Sequence, residues 1–178
     1  MSSQEWDRRW MSDVQVKASW SKDRSRKVAC VIVDQDNVEV SHGWNGFPRQ
    51  VDDDVEDRHQ RPLKYLWTEH AERNALYNAA RKGRATAGCK SYQALYPCAH
   101  CARAMIQCGI MEIVTVEPDW ADPTYSDEWA VSKTMLAEAG IRVRFVEGES
   151  LVRKEVLKPT PPASRLLKED ELPPKKKA

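Results

Sequence analysis

Two short motifs in this sequence could do chemistry together: His70-Ala71-Glu72, and Pro97-Cys98-Ala99-His100-Cys101. Each alone is ambiguous. A Cys-x-x-Cys pair serves redox exchange, half of a structural zinc site, or incidental packing, and His-x-Glu is common at surface helix starts. Cys98 and Cys101, three apart at an expected helix start, project from one face, and the positive end of a helix lowers the thiol pKa toward the thiolate that a metal takes. Two thiolates and the His70 imidazole supply three of zinc's four tetrahedral positions, and the fourth stays open to water, as in catalytic sites. Zinc can bring the pKa of bound water down to about 7, and Glu72 is then the natural proton carrier. His70 and Glu72, two residues apart, do not share a helix face, so their convergence requires the fold. His100 points elsewhere on the same helix and reads as a surface or supporting residue. Cys30, Cys89 and Cys108 lie in or beside apolar segments and read as inert packed thiols.

The elements that must position these groups follow from local patterns. Trp6, Trp10, Val14 and Ala18 recur every four residues, the buried stripe of a first helix. Lys27 to Asp34 is a β-branched run, Asp34 to Asn37 carries turn chemistry, and Val38 to Gly43 reads as the returning strand of a hairpin. The acidic stretch from Gly46 to Trp67 reads as a solvated loop that could cover a site. Thr68 is the expected cap of a helix from Glu69 to Lys82 ended by Gly83. Lys90 to Tyr96 reads as a strand, with Pro97 as the first residue of a helix reaching Cys108. Strands over Glu112 to Val116 and Ile141 to Val146 then flank a helix from Ser126 to Ala139. This alternation predicts an α/β fold, a three-layer α/β/α arrangement with the opening hairpin as its antiparallel part.

Composition bounds the rest. The chain has 178 residues, of which 41% are apolar and 31% charged, so one globular domain is expected. Residues 1–158 form that domain, and 159–178, with five prolines and a Lys175-Lys176-Lys177 end, read as a disordered Pro/Lys-rich tail. The longest unbroken apolar run, Val28 to Val33, is far short of a membrane span, and the start lacks a signal-peptide stretch. Five cysteines, an odd number, argue for reduced thiols, so a cytoplasmic location is expected. A net charge of +1 favours a small-molecule substrate over nucleic acid.

The combination of HAE and PCxxC resembles the zinc-dependent cytidine and deoxycytidylate deaminase superfamily. Lys22 to Asp34 (KDRSRKVACVIVD), Gly43 to Arg49 (GWNGFPR), His70 to Ala75 (HAERNA) and Cys89 to Ile110 look like its deoxycytidylate deaminase branch. The resemblance covers about residues 6–146 and implies a central five-stranded mixed sheet with helices on both faces. It makes His70, Cys98 and Cys101 the Zn2+ ligands and Glu72 the catalytic proton shuttle. It implies hydrolysis of a nucleotide, deoxycytidylate, to deoxyuridylate and ammonia. Asn45 would hold the sugar and Asn74 would support the site; Ser25, Arg26 and Lys27 would take the phosphate, with Arg81 as a second candidate. Family members also suggest a homo-oligomer, a dimer or hexamer. The chain departs from the branch at Arg24, Arg26, Ala29 and Gln50. Deamination of another nucleoside, nucleotide or transfer-RNA base is the alternative within the superfamily. An interaction module with purely structural zinc is the alternative outside it.

Overall fold

A computed structural model describes residues 2–146. The expected domain end at 158 and the tail 159–178 lie outside the described residues. Helix α1 (Ser3–Ala18) is followed by strands β1 (Ala29–Val33) and β2 (Glu39–Trp44). A 3-10 turn (Glu56–His59) and a short helix α2 (Lys64–Trp67) precede α3 (Ala71–Arg81). The chain then runs through β3 (Lys90–Gln93), α4 (Ala99–Gln107), β4 (Glu112–Thr115), α5 (Ser126–Glu138) and β5 (Arg142–Phe145). The five strands form one mixed sheet in the order β2-β1-β3-β4-β5. β1 pairs antiparallel with β2 and β3, whereas β3, β4 and β5 run parallel.

Every residue of β1 is buried, as a central strand covered on both faces requires. Ala29, Val31 and Val33 pack with Val14 and Ala18 of α1, and Cys30 and Ile32 pack with Ala71, Ala75 and Leu76 of α3. Trp129 and Leu136 of α5 and Met105 of α4 share that second core. The three layers are therefore α1, the sheet, and α3 with α4 and α5. The expected hairpin turn is present: Asp34 Oδ1 accepts from Asp36 N and Val38 N, both at 2.9 Å, and Asn37 takes a positive φ of 60°.

Three local expectations are corrected. Thr68 does not cap α3; it ends α2, and His70 occupies the N-cap because Glu69 pairs its backbone with Gly46 and holds the preceding residues extended. Pro97 does not open α4; Cys98 is the N-cap and the helix begins at Ala99. The stretch from Gly46 to Trp67 is not a plain solvated loop, since it contains the 3-10 turn, α2 and the buried Lys64.

Helix α3 is fixed to β2 at unusually close range. Ser41 Oγ donates to Ala75 O at 2.7 Å, Asn74 Nδ2 to Trp44 O at 2.8 Å and Asn78 Nδ2 to His42 O at 2.7 Å. Gly43 permits the approach: a Cβ there would stand 2.3 Å from Ala75 N, 2.6 Å from Asn74 C and 2.7 Å from Ala71 O. These obstacles are backbone, so no rotamer change relieves them. Gly43→Ala is expected to cost about 3 kcal/mol in urea unfolding. Gly46→Ala, with nothing within 4 Å, should leave the midpoint nearly unchanged. Equal stability of the two variants would contradict this account of the helix placement.

Candidate functional site

At one end of the sheet β1 begins while β2, β3 and β4 finish, because β1 is antiparallel to its neighbours. The loops at that end line one cavity, in the position where open α/β sheets bind ligands. Two helices also start there. His70 is the N-cap of α3 with Glu72 in its first turn, and Cys98 is the N-cap of α4 with Cys101 in its first turn. Two positive helix ends thus converge on the thiols, which favours thiolate.

The fold brings the two motifs together. Cys98 Sγ lies 3.6 Å and Cys101 Sγ 3.5 Å from His70 Nδ1. The three ligand atoms all fall within 4.8 Å of one another. Tetrahedral zinc with sulfur at about 2.3 Å and nitrogen at about 2.0 Å holds S and N about 3.5 Å apart, so the donor set fits the ion in both chemistry and spacing. Glu72 Oε2 stands 3.5 Å from Cys101 Sγ and is buried. The hydrogen bond from Cys101, joined by one from His70, holds the Cys98 thiol well below the ordinary range, and Cys101 is pushed up in return. His70 is raised to about 9, chiefly by its hydrogen bond with Cys98. Burial pushes the Glu72 carboxyl up against the pull of His70.

The rest of the cavity wall is a buried polar network. Asp23 Oδ1 accepts from Lys64 Nζ at 2.7 Å and from Ser25 N and Arg26 N at 2.8 and 3.0 Å. Asp23 Oδ2 accepts from Asn45 Nδ2 at 3.0 Å. Asn45 also donates to Arg26 O at 2.8 Å and accepts from Val28 N at 3.0 Å, so it anchors the 23–28 loop as well as lining the cavity. Although its own burial opposes ionisation, the Lys64 ammonium and the two amides hold the Asp23 carboxyl below the usual carboxylate range.

The sequence-predicted residues divide clearly. His70, Glu72, Cys98, Asn45 and Arg26 line the cavity, and Cys101 lies behind it in contact with His70. Ser25 and Lys27 are exposed and outside the lining. Asn74 faces β2, where it donates to Trp44 O. Arg81, exposed at the far end of α3, is about 15 Å of helix away from His70. His100 is exposed, paired with Arg103, and the packed Cys30 and Cys89 are buried free thiols. Sequence reasoning missed Arg61, Lys64, Tyr65 and Tyr125, all of which line the cavity. Only the clustering of Arg, Lys and Tyr inside an otherwise acidic stretch hinted at the first three.

Comparison with known proteins agrees with this arrangement. Residues 4–117 match the cytidine and deoxycytidylate deaminase zinc-binding region. The chain is 35% identical over 143 residues to an uncharacterized deaminase of Aliivibrio fischeri, covering 79% of this chain and 93% of that one. It is 33% identical over 145 residues to the deoxycytidylate deaminase of Homo sapiens, covering 79% of each. In fold it is similar to the dCMP deaminase of cyanophage S-TIM5, solved in complex with dCMP and dUMP, with a TM-score of 0.66 at 21% identity over 82% of this chain and 99% of that one.

Proposed function

The chain belongs to the cytidine and deoxycytidylate deaminase family, whose members bind zinc, and from that premise we propose that it hydrolyses deoxycytidylate to deoxyuridylate and ammonia. The observation that carries the reading is the meeting of His70, Cys98 and Cys101 with the buried Glu72 carboxyl beside one cavity. In this proposal His70, Cys98 and Cys101 hold the ion. Bound there, zinc supplies a Lewis acid that brings the ionisation of water toward about pH 7.

The remaining work falls to the chain's own side chains. Glu72 takes a proton from the attacking water and passes it to ring N3 as the oxygen bonds to C4. It then carries the second water proton to the amino nitrogen, which leaves as ammonia. One oxygen enters at C4 and one nitrogen departs, so a single carboxylate serves as base and acid. Two helix N-termini and the buried contact with Cys101 fix where that carboxylate stands. Asn45, whose two amide hydrogens are already engaged, would meet the sugar through the remaining lone pair of Oδ1 by accepting from a hydroxyl. Arg26 is the one member of the Ser25 to Lys27 run carried forward as a substrate contact, since it alone lines the cavity.

The same proposal includes a homo-oligomer, a dimer or hexamer, which sedimentation reads directly, and a cytoplasmic location. No helix among the described residues is long and apolar enough to cross a membrane. Ammonia release from deoxycytidylate, deoxycytidine, cytidylate and an adenosine-bearing transfer-RNA stem-loop tests the substrate assignment. Deoxycytidylate is expected to be turned over most efficiently. Preference for the nucleoside or activity confined to the RNA would overturn it.

A further inference from the structure

The residue at the start of α3 does not cap its helix in the ordinary way. An N-cap side chain normally turns back to accept from the amides of the first turn. The His70 imidazole instead faces the thiols, with Nδ1 3.6 Å from Cys98 Sγ and 3.5 Å from Cys101 Sγ, and makes no cap hydrogen bond. The residue before it supplies an acceptor. Glu69 Oε1 accepts from His70 N at 2.8 Å and pairs with Arg73 Nη2 at 2.5 Å, one turn further along. Glu69 is also tied through its backbone: its N donates to Gly46 O at 2.8 Å, and Gly46 N donates to its O at 3.1 Å. Gly46 follows Asn45, a residue of the cavity wall. Glu69 thus joins the backbone of a candidate metal ligand, the first turn of α3 and the Asn45 segment.

A metal-binding imidazole is usually oriented by a hydrogen bond from its second ring nitrogen, and loss of such an outer partner costs roughly 10- to 100-fold in metal affinity. Among the described residues the His70 ring makes hydrogen bonds through Nδ1 alone. Its position is set at the backbone, where Glu69 holds the amide. The Arg73 and Glu69 side chains are only 24% and 20% exposed, so solvent and salt screen this pair less than a surface ion pair. Arg73 Nε is buried without a partner among the described residues, which leaves Glu69 to fix the guanidinium. Neither residue lines the cavity, so neither is placed to touch a substrate there.

We infer that Glu69 and Arg73 are a positioning pair for zinc. Glu69 holds His70 where its ring meets Cys98 and Cys101, Arg73 holds Glu69, and the pair slows loss of the metal. This rests on the assignment of His70, Cys98 and Cys101 as zinc ligands, and it is read by metal release rather than by turnover. Zinc-loaded wild type and variants are mixed with excess chromogenic chelator, the rate of zinc release is followed, and urea unfolding is measured on the same samples.

Glu69→Ala should release zinc about 10- to 100-fold faster than wild type. Glu69→Gln keeps an acceptor for His70 N but loses the charge that pairs with Arg73, and should fall between the two. Arg73→Ala should speed release by a smaller factor and add no further acceleration in the Glu69→Ala background, because it acts through Glu69. Asn78→Ala, which removes the donor to His42 O from the same helix, should lower the urea midpoint without changing zinc release. Release at the wild-type rate from Glu69→Ala overturns the pair and leaves the ligand set standing. Accelerations that multiply in the double variant, or an equal acceleration by Asn78→Ala, do the same. A wild type that takes up no zinc overturns both this inference and the ligand assignment.

Discussion

Glu72→Gln is expected to abolish nearly all ammonia release while leaving zinc and fold in place. General acid and base catalysis by one side chain contributes roughly 100- to 10,000-fold, and in the proposed reaction one carboxylate handles both water protons, so the loss should fall at the upper end. The glutamine is nearly isosteric and fits the same buried position beside Cys101. It cannot accept and return a proton, so kcat falls while substrate affinity changes little. Steady-state kinetics with zinc content measured on the same samples checks this. Undiminished turnover in a zinc-loaded variant would remove Glu72 from the reaction.

Cys98→Ala is expected to have a comparably large effect by a different route. Removal of one of the three proposed protein ligands should exceed the roughly 10- to 100-fold affinity loss seen when a mere outer partner of a metal ligand is removed. Zinc should then be depleted after dialysis and activity should fall below detection. Cys108→Ala should behave as wild type, because Cys108 lies outside the His70, Cys98 and Cys101 cluster and its neighbourhood is packing and backbone. Retention of zinc at the wild-type level by Cys98→Ala would contradict the assigned ligand set.

The candidate metal cluster is readable in the sequence because His70, Cys98 and Cys101 sit in two short motifs, each at the start of a helix. The alternation of apolar strands with helices likewise announced a covered sheet, and β1, buried along its whole length, is the element on which both cores meet. What was not readable depends on contacts between distant residues. Lys64 looks like a solvated cation in an acidic stretch until Asp23, 41 positions earlier, is found to neutralise it. Lys22 and Arg24 look like free cations of a basic run until Asp53 and Glu56 are found across from them.

Gly43 has no local signature, since its role is the 2.3 Å approach that only the packed α3 backbone reveals. The displaced helix starts have the same origin. The pairing of Glu69 with Gly46 pulls residues 68 and 69 into extended backbone, and this moves the cap from Thr68 to His70. That shift has a functional consequence, because it puts a metal-ligand candidate at the positive end of α3. Two long-range partners, Arg144 of β5 at 2.7 Å and the Tyr92 hydroxyl of β3 at 2.9 Å, also explain a buried aspartate, Asp7, within an otherwise ordinary amphipathic helix.

The central claim is that one zinc ion, held by His70, Cys98 and Cys101, is required for deamination. It is tested most directly by elemental analysis of the purified wild-type protein, paired with ammonia release before chelation, after chelation, and after zinc is returned. About one zinc per chain is expected, with activity lost as the metal is stripped and recovered as it is restored. Full activity in metal-free protein would contradict the account.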